Sequence, residues 1–421
     1  MFQKKEFSNG LKIITVPDKK TETATVLILV GAGSKYETKE NNGISHFLEH
    51  MFFKGTKKRH NALKIAETLD KVGGNFNAFT SKEYTGYWAK VSKEHLDLAL
   101  DWVSDIFLNS KVESREIEKE KGVIIEELNM YLDMPIQYVG ELWEKLLYGD
   151  QPAGWDTIGL KKNIQGLQKK DFLNYLREHY SSRNTIVCIA GNFEPLQTVA
   201  KIKKYFKGIN TQETKLKKKV LEKQKEAKIL LHYKKTDQTH LCLGVRGFDL
   251  FNPQKYVQQI LAVILGGNMS SRLFTSIREK RGLAYYVRTS SESYTDSGYL
   301  VTQAGIPHKE VEKVAALIIK EYKDLCQKKI SAGELQKAKD YLKGSSIIGL
   351  EPSDAKASFY GLQELLSKKA LTLKEKFKII DKVSQEDVQE TAKNIFQSNR
   401  LNLAIIGPQK NKTNFQKILK L

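Results

Sequence analysis

His46, Glu49 and His50 carry the clearest chemistry in this chain of 421 residues. They stand in the run Gly43-Ile44-Ser45-His46-Phe47-Leu48-Glu49-His50-Met51, which reads H-x-x-E-H. Ile44, Phe47, Leu48 and Met51 recur as the apolar positions of an amphipathic helix. On a helix His46 and His50 are i and i+4, so both imidazoles leave one face, one above the other. Two neutral imidazoles held that way can take two corners of a Zn²⁺ tetrahedron. Glu49 follows His46 by three positions, which sets its carboxylate beside the metal, within reach of a proton on water there. With only eight histidines in the chain, an accidental grouping is the weaker account.

A catalytic zinc needs a third protein ligand and an open fourth position. The run Ile117-Glu118-Lys119-Glu120-Lys121-Gly122-Val123-Ile124-Ile125-Glu126-Glu127-Leu128 offers candidates. Glu120 and Glu127 are seven apart and share one helix face. Glu113, Glu116 and Glu118 read as a solvated acidic face. Spacing alone does not separate ligand from bystander for Glu120 and Glu127.

Taken together, these residues resemble the signature of the pitrilysin-type (M16, inverzincin) zinc metallopeptidases. His46, Glu49 and His50 are followed by Glu127 after 76 intervening residues, and Glu120 also fits. Asn75-Phe76-Asn77-Ala78-Phe79-Thr80-Ser81 resembles that family's substrate-binding edge strand. Gly266-Gly267-Asn268-Met269-Ser270-Ser271-Arg272-Leu273-Phe274, then Arg278-Glu279-Lys280-Arg281-Gly282-Leu283-Ala284-Tyr285, resembles its second-domain motif. The likeness extends along nearly the whole chain, to processing-peptidase-like members of this length.

The resemblance implies one Zn²⁺ per chain on His46, His50 and Glu127, with Glu49 as general base activating water at the zinc. It makes Glu120 a carboxylate that orients His50 or adds negative potential. Asn77, Ala78 and Phe79 would pair with the peptide backbone, although an ordinary hairpin also accounts for that segment. Arg278 and Tyr285 would reach the substrate from a second domain, the tyrosine hydroxyl stabilising an oxyanion. The alternatives are an arginine paired with a structural carboxylate and a tyrosine packed in a core. The implied activity is hydrolysis of peptides or unfolded polypeptide by a zinc metalloendopeptidase. The implied assembly is a homodimer, or a heterodimer with an M16-like subunit. The competing function is a subunit that needs such a partner, or serves as a non-catalytic structural one.

The elements that must position these residues are legible in outline. Strands are expected at 11–16 and 24–30, then the H-x-x-E-H helix, a helix at 62–72, and two strands within 76–90 around Ser81-Lys82-Glu83. Helices follow at 95–108, 114–128 and 134–147, and a buried strand at 185–191. The second half repeats the first. Ser182-Arg183-Asn184-Thr185-Ile186-Val187 resembles Ser398-Asn399-Arg400-Leu401-Asn402-Leu403, and Tyr84-Thr85 resembles Tyr294-Thr295, at offsets of 216 and 210 residues. A shift of about 211 sets Val257, Ile260 and Leu261 where His46, Glu49 and His50 stand, so only one copy keeps a metal site. The expected fold is α+β: two homologous α/β-sandwich domains, which the resemblance has facing each other across a peptide-binding cavity. Residues 1–210 form the catalytic domain, polar 211–226 the linker, and 227–421 the metal-free domain.

Composition narrows the remaining classes. The formal net charge of +20 admits nucleic acid or an anionic surface as partners. The lysines are scattered, however, and the densest run, Lys215 to Lys219, falls in the linker, so no nucleic-acid partner is expected. Cys188, Cys242 and Cys326 are odd in number and far apart, as core residues in a reducing compartment would be. No apolar run is long enough to span a membrane, and the first ten residues show no signal or transit peptide. A bacterial cytoplasmic protein is the expectation.

Overall fold

Apolar runs such as 26–30 and 186–190 become buried strands. In the computed structural model, which describes residues 2–421, these runs organise two sheets. The first contains β1 (Gln3–Glu6), β2 (Lys12–Pro17), β3 (Thr23–Val30), β4 (Asn75–Thr80), β5 (Thr85–Ser92) and β6 (Thr185–Gly191). The second contains β7 (Lys228–Tyr233), β8 (Thr239–Arg246), β9 (Tyr286–Ser293), β10 (Gly298–Ile306) and β11 (Leu401–Gly407). All seven residues of β6 and of β11 are buried, which is why neither run alternates in sequence.

The strand orders are β1-β2-β6-β3-β5-β4 and β7-β11-β8-β10-β9. From β2 onward the two orders match, and so do the pairing senses: one parallel pair, β2 with β6 and β7 with β11, then antiparallel neighbours. The internal repeat is therefore a repeat of fold, in a mixed α/β chain of two similar units. β4 closes one edge of the first sheet, pairing with β5 in the register Asn77 to Trp88, Ala78 to Tyr87 and Phe79 to Gly86.

Each compact unit is assembled from three stretches of chain. The first comprises Met1–Leu128, Asp156–Lys218 and Ile348–Leu371, and the second Asn129–Trp155, Lys219–Ile347 and Thr372–Leu421. The short middle and late stretches carry an exchange of helices. The helix Ser353–Ser367 lies on the first sheet, where Ala357 and Leu365 pack with Ile14, Leu27, Leu29, Ile186 and Cys188. Gly361 permits the approach, since a Cβ there would lie 2.8 Å from Leu29 Cδ1. Reciprocally, the helix Pro135–Tyr148 covers one face of the second sheet, with Val139, Leu142 and Trp143 against Cys242, Val301, Ala404 and Ile406. Segment 211–226 has no helix or strand.

Candidate metal centre

The H-x-x-E-H helix spans Ile44–Met51, and its apolar face of Ile44, Phe47, Leu48 and Met51 is fully buried. That leaves His46, Glu49 and His50 together on the half-exposed face. Gly43, which precedes the helix, has φ +103° and offers no side chain to cap it. The carboxylate of Glu37 supplies the cap. It accepts from the Gly43 and Ser45 backbone N–H groups and from Asn42 Nδ2, each at 2.8 Å. A buried anion at this end satisfies helix donors that otherwise lack partners and opposes the positive end of the helix dipole.

Across from it, the helix Ser114–Leu132 presents Glu120 and Glu127. His46 Nε2 lies 3.6 Å from Glu127 Oε1, and His50 Nε2 lies 3.4 Å from Glu127 Oε2. The ligating atoms of the three residues all fall within 4.8 Å of one another, the one such group among the described residues. Those separations exceed good hydrogen bonds. They match the edge of about 3.3 Å of a tetrahedron with bonds of about 2.0–2.1 Å. Glu120 takes the other side of His50, its Oε1 2.8 Å from Nδ1. With a proton on Nδ1 donated to Glu120, the Nε2 lone pair would be free for a metal ion that Glu127 would share. The buried Nδ1 of His46 has no hydrogen-bond partner among the described residues, so that ring too makes its polar contact through Nε2.

The electrostatics agree with a cation. Burial disfavours the charged imidazole of His50, but the carboxylates of Glu120 and Glu127 outweigh it and raise the group to about 9. Contacts from His46 and His50 hold Glu127 at about 2 despite burial. Burial pushes Glu49 above the ordinary carboxylate range, while a hydrogen bond from Thr80 opposes the shift. These residues fit a divalent ion with borderline nitrogen and oxygen preferences, such as zinc.

The structure thus brings His46, Glu49, His50, Glu120 and Glu127 together. Asn77, Ala78 and Phe79 stand on β4, the sheet edge that contacts the H-x-x-E-H helix. There the Ala78 N–H donates to Asn77 Oδ1 at 2.9 Å. Arg278 and Tyr285 belong to the other unit. The Arg278 guanidinium lies over the Phe274 ring at 5.1 Å, and Tyr285 is 60% exposed rather than packed in a core. In the repeat, Val257, Ile260 and Leu261 are buried on the helix Lys255–Gly266, leaving no ligand.

Sequence reasoning missed three neighbours. Glu37 caps the helix, Thr80 Oγ1 donates to Glu49 Oε2 at 2.5 Å, and Lys54 Nζ sits 2.6 Å from Glu120 Oε2. Lys54 stands four residues after His50, three beyond the helix end, a spacing that was visible in the sequence. Thr80 and Glu37 announce themselves only through the fold.

Known proteins resemble this chain along nearly its whole length. The family model described as Insulinase (Peptidase family M16) matches residues 12–159, and that described as Peptidase M16 inactive domain matches 166–342. A Bacillus subtilis (strain 168) protein named as an uncharacterized zinc protease, YmxG, is 36% identical over 98% of this chain and 99% of its own. A Rickettsia felis zinc protease is 35% identical over 97% of this chain and 98% of its own. The solved structure of a Helicobacter pylori protease superposes with a TM-score of 0.90 at 23% identity, covering 97% of this chain and 99% of that one.

Proposed function

Since the chain belongs to the M16 peptidase family, we propose that it is a zinc metalloendopeptidase cleaving peptides or unfolded protein segments. The observation that carries this is the His46–His50–Glu127 triangle with the Glu49 carboxylate beside it on the same helix.

In this proposal His46, His50 and Glu127 hold one Zn²⁺ per chain. Zinc bound there supplies Lewis acidity, polarising a carbonyl oxygen and lowering the pKa of water. Glu49 takes the proton as water attacks the scissile carbon and passes it to the leaving amine. Burial, which raises this carboxyl, brings its proton affinity closer to what that double task requires. Glu120 fixes the ring of His50 through Nδ1 and is itself neutralised by Lys54.

The open edge of β4 is the proposed peptide site. A substrate strand pairing at Ala78 displaces the Asn77 side-chain oxygen from the Ala78 amide, while Phe79 keeps its ring over Gly86. Backbone pairing gives affinity without demanding one sequence. Arg278 and Tyr285 are proposed to meet the substrate from the second domain, Tyr285 as an oxyanion donor; the exposure of both supports availability. We take residues 1–210 as the catalytic domain, 211–226 as the linker and 227–421 as the metal-free domain, each lending the other a helix. A homodimer, or a heterodimer with an M16-like subunit, and a cytoplasmic location complete the proposal. Among the described residues no helix is long and apolar enough to cross a membrane.

Metal analysis with hydrolysis of a quenched peptide library, wild type beside Glu49→Gln, tests the proposal. Zinc near one per chain and hydrolysis lost in Glu49→Gln support it. Equal turnover by both proteins overturns it. Zinc without hydrolysis until an M16-like partner is added favours the partner-dependent subunit.

A further inference from the structure

Thr80 is the last residue of β4, and its hydroxyl donates to Glu49 Oε2 at 2.5 Å across 31 residues of sequence. A glutamate side chain has three rotatable bonds, and a helix fixes none of them beyond the first. Something outside the helix must decide where the carboxylate points. Thr80 is suited to that because it is itself immobile. Its β-branched side chain is stiff at χ1. The hairpin end that follows is closed by Ser81 N–H to Tyr84 O at 2.8 Å. It is tied to the loop before the metal helix by Ser34 N–H to Ser81 O at 3.2 Å and Lys35 N–H to Lys82 O at 2.8 Å. Beneath those bonds Lys35 Nζ meets Glu83 Oε1 at 2.8 Å, with both side chains no more than 2% exposed.

From this geometry we infer that Thr80 is a positioning residue for Glu49, holding one carboxylate oxygen so that the other is left for proton transfer. The inference rests on Glu49 acting as the base. It adds a coupling that the metal motif does not contain. Asn77, Ala78 and Phe79, the proposed peptide-pairing residues, lie on the same strand only one to three positions before Thr80. At a rise of about 3.4 Å per residue, the aim of the base and the register of the peptide are indexed to one rigid strand within roughly 10 Å. A misplacement of about 1 Å at such a group costs on the order of a hundredfold in rate. The hydroxyl of Thr80 thus acts on kcat, because it touches neither the ligands nor the peptide edge.

The test compares Thr80→Val, which keeps shape and loses the donor, with Thr80→Ser, which keeps the donor. Each is measured by peptide kinetics and zinc content, and Thr80→Val also by crystal structure. Expected for Thr80→Val is a kcat fall of about 10- to 100-fold with KM within about twofold and zinc unchanged. Thr80→Ser should return most of the rate. In the Thr80→Val crystal the Glu49 carboxylate should leave its present position. An unmoved carboxylate, an unchanged kcat, or a serine variant as slow as the valine one overturns the inference. If wild type and Glu49→Gln prove equally inactive, alone and with an M16-like partner, the proposed peptidase fails while the carboxylate position in the crystal still decides the role of Thr80.

Discussion

Glu120 Oε1 lies 2.8 Å from His50 Nδ1, on the side of the ring away from Glu127. In the proposed site this contact gives the two glutamates of one helix different tasks, Glu120 orienting His50 and Glu127 binding the metal. Glu120→Gln keeps an acceptor for Nδ1 but loses the charge and unpairs Lys54. Zinc affinity should fall about 10- to 100-fold, as read by competition with a chromogenic chelator. Glu127→Gln should cost far more, because in the proposed site it replaces an anionic ligand oxygen with a weaker neutral amide oxygen. Equal losses in both variants would deny the division of labour.

His50→Ala should remove most of the zinc measured by atomic spectroscopy on the purified protein. Glu49→Gln should retain the metal and lower kcat by roughly 10²–10⁴. A His50→Ala protein with a full complement of metal would take His50 out of the ligand set.

Tyr285 is 60% exposed, so Tyr285→Phe should leave the melting temperature unchanged. If its hydroxyl serves the oxyanion, kcat should drop on the order of 10²-fold with KM little altered. A rise in KM alone would make it a ground-state contact instead.

The exchanged helix makes its own prediction. Gly361→Val forces side-chain atoms into Leu29 and should destabilise the protein by about 1–3 kcal/mol, seen as a lower urea midpoint. A chain ending at residue 210 lacks Ala357 and Leu365, leaving Leu27, Leu29 and Cys188 uncovered. It should be poorly soluble unless residues 227–421 are co-expressed. Stable, monodisperse 1–210 on its own would contradict this.

His179 is buried and its Nδ1 finds no partner among the described residues, so burial pulls its imidazole down to about 4. The unfolded chain, with an ordinary value near 6.5, binds the proton more readily. Stability from this group is therefore whole above about pH 6.5 and is lost as pH falls toward 4, by roughly 3 kcal/mol in all. Denaturant titrations from pH 4 to 8 should show that slope for wild type and a shallower one for His179→Phe.

The H-x-x-E-H helix was legible because 3.6-residue periodicity and chelate spacing coincide in eight residues. The repeated sheets were legible because β6 and β11 share both apolarity and flanking residues. Glu120 and Glu127 could not be told apart by spacing, since seven residues return to the same helix face. What separates them is which nitrogen of His50 each one meets. Thr80 stayed hidden because its partner is 31 positions away and a threonine ending a strand is commonplace. The helix exchange was invisible for a related reason. An apolar stripe of Ala357, Gly361 and Leu365 states that a helix is covered, without stating by which sheet.

Thr25 Oγ1 and Ser353 Oγ, 2.8 Å apart, are 328 residues apart along the chain. A ribosome adding about 5–20 residues per second leaves roughly 16–66 s between the synthesis of the first and of the second. Throughout that interval the strands bearing Leu27, Leu29 and, later, Cys188 exist as nascent polypeptide whose covering helix has not been made. The protein cannot finish one half and then begin the other during translation. The first sheet thus gains this cover only once residues 353–367 have been made, long after its own last strand at 185–191.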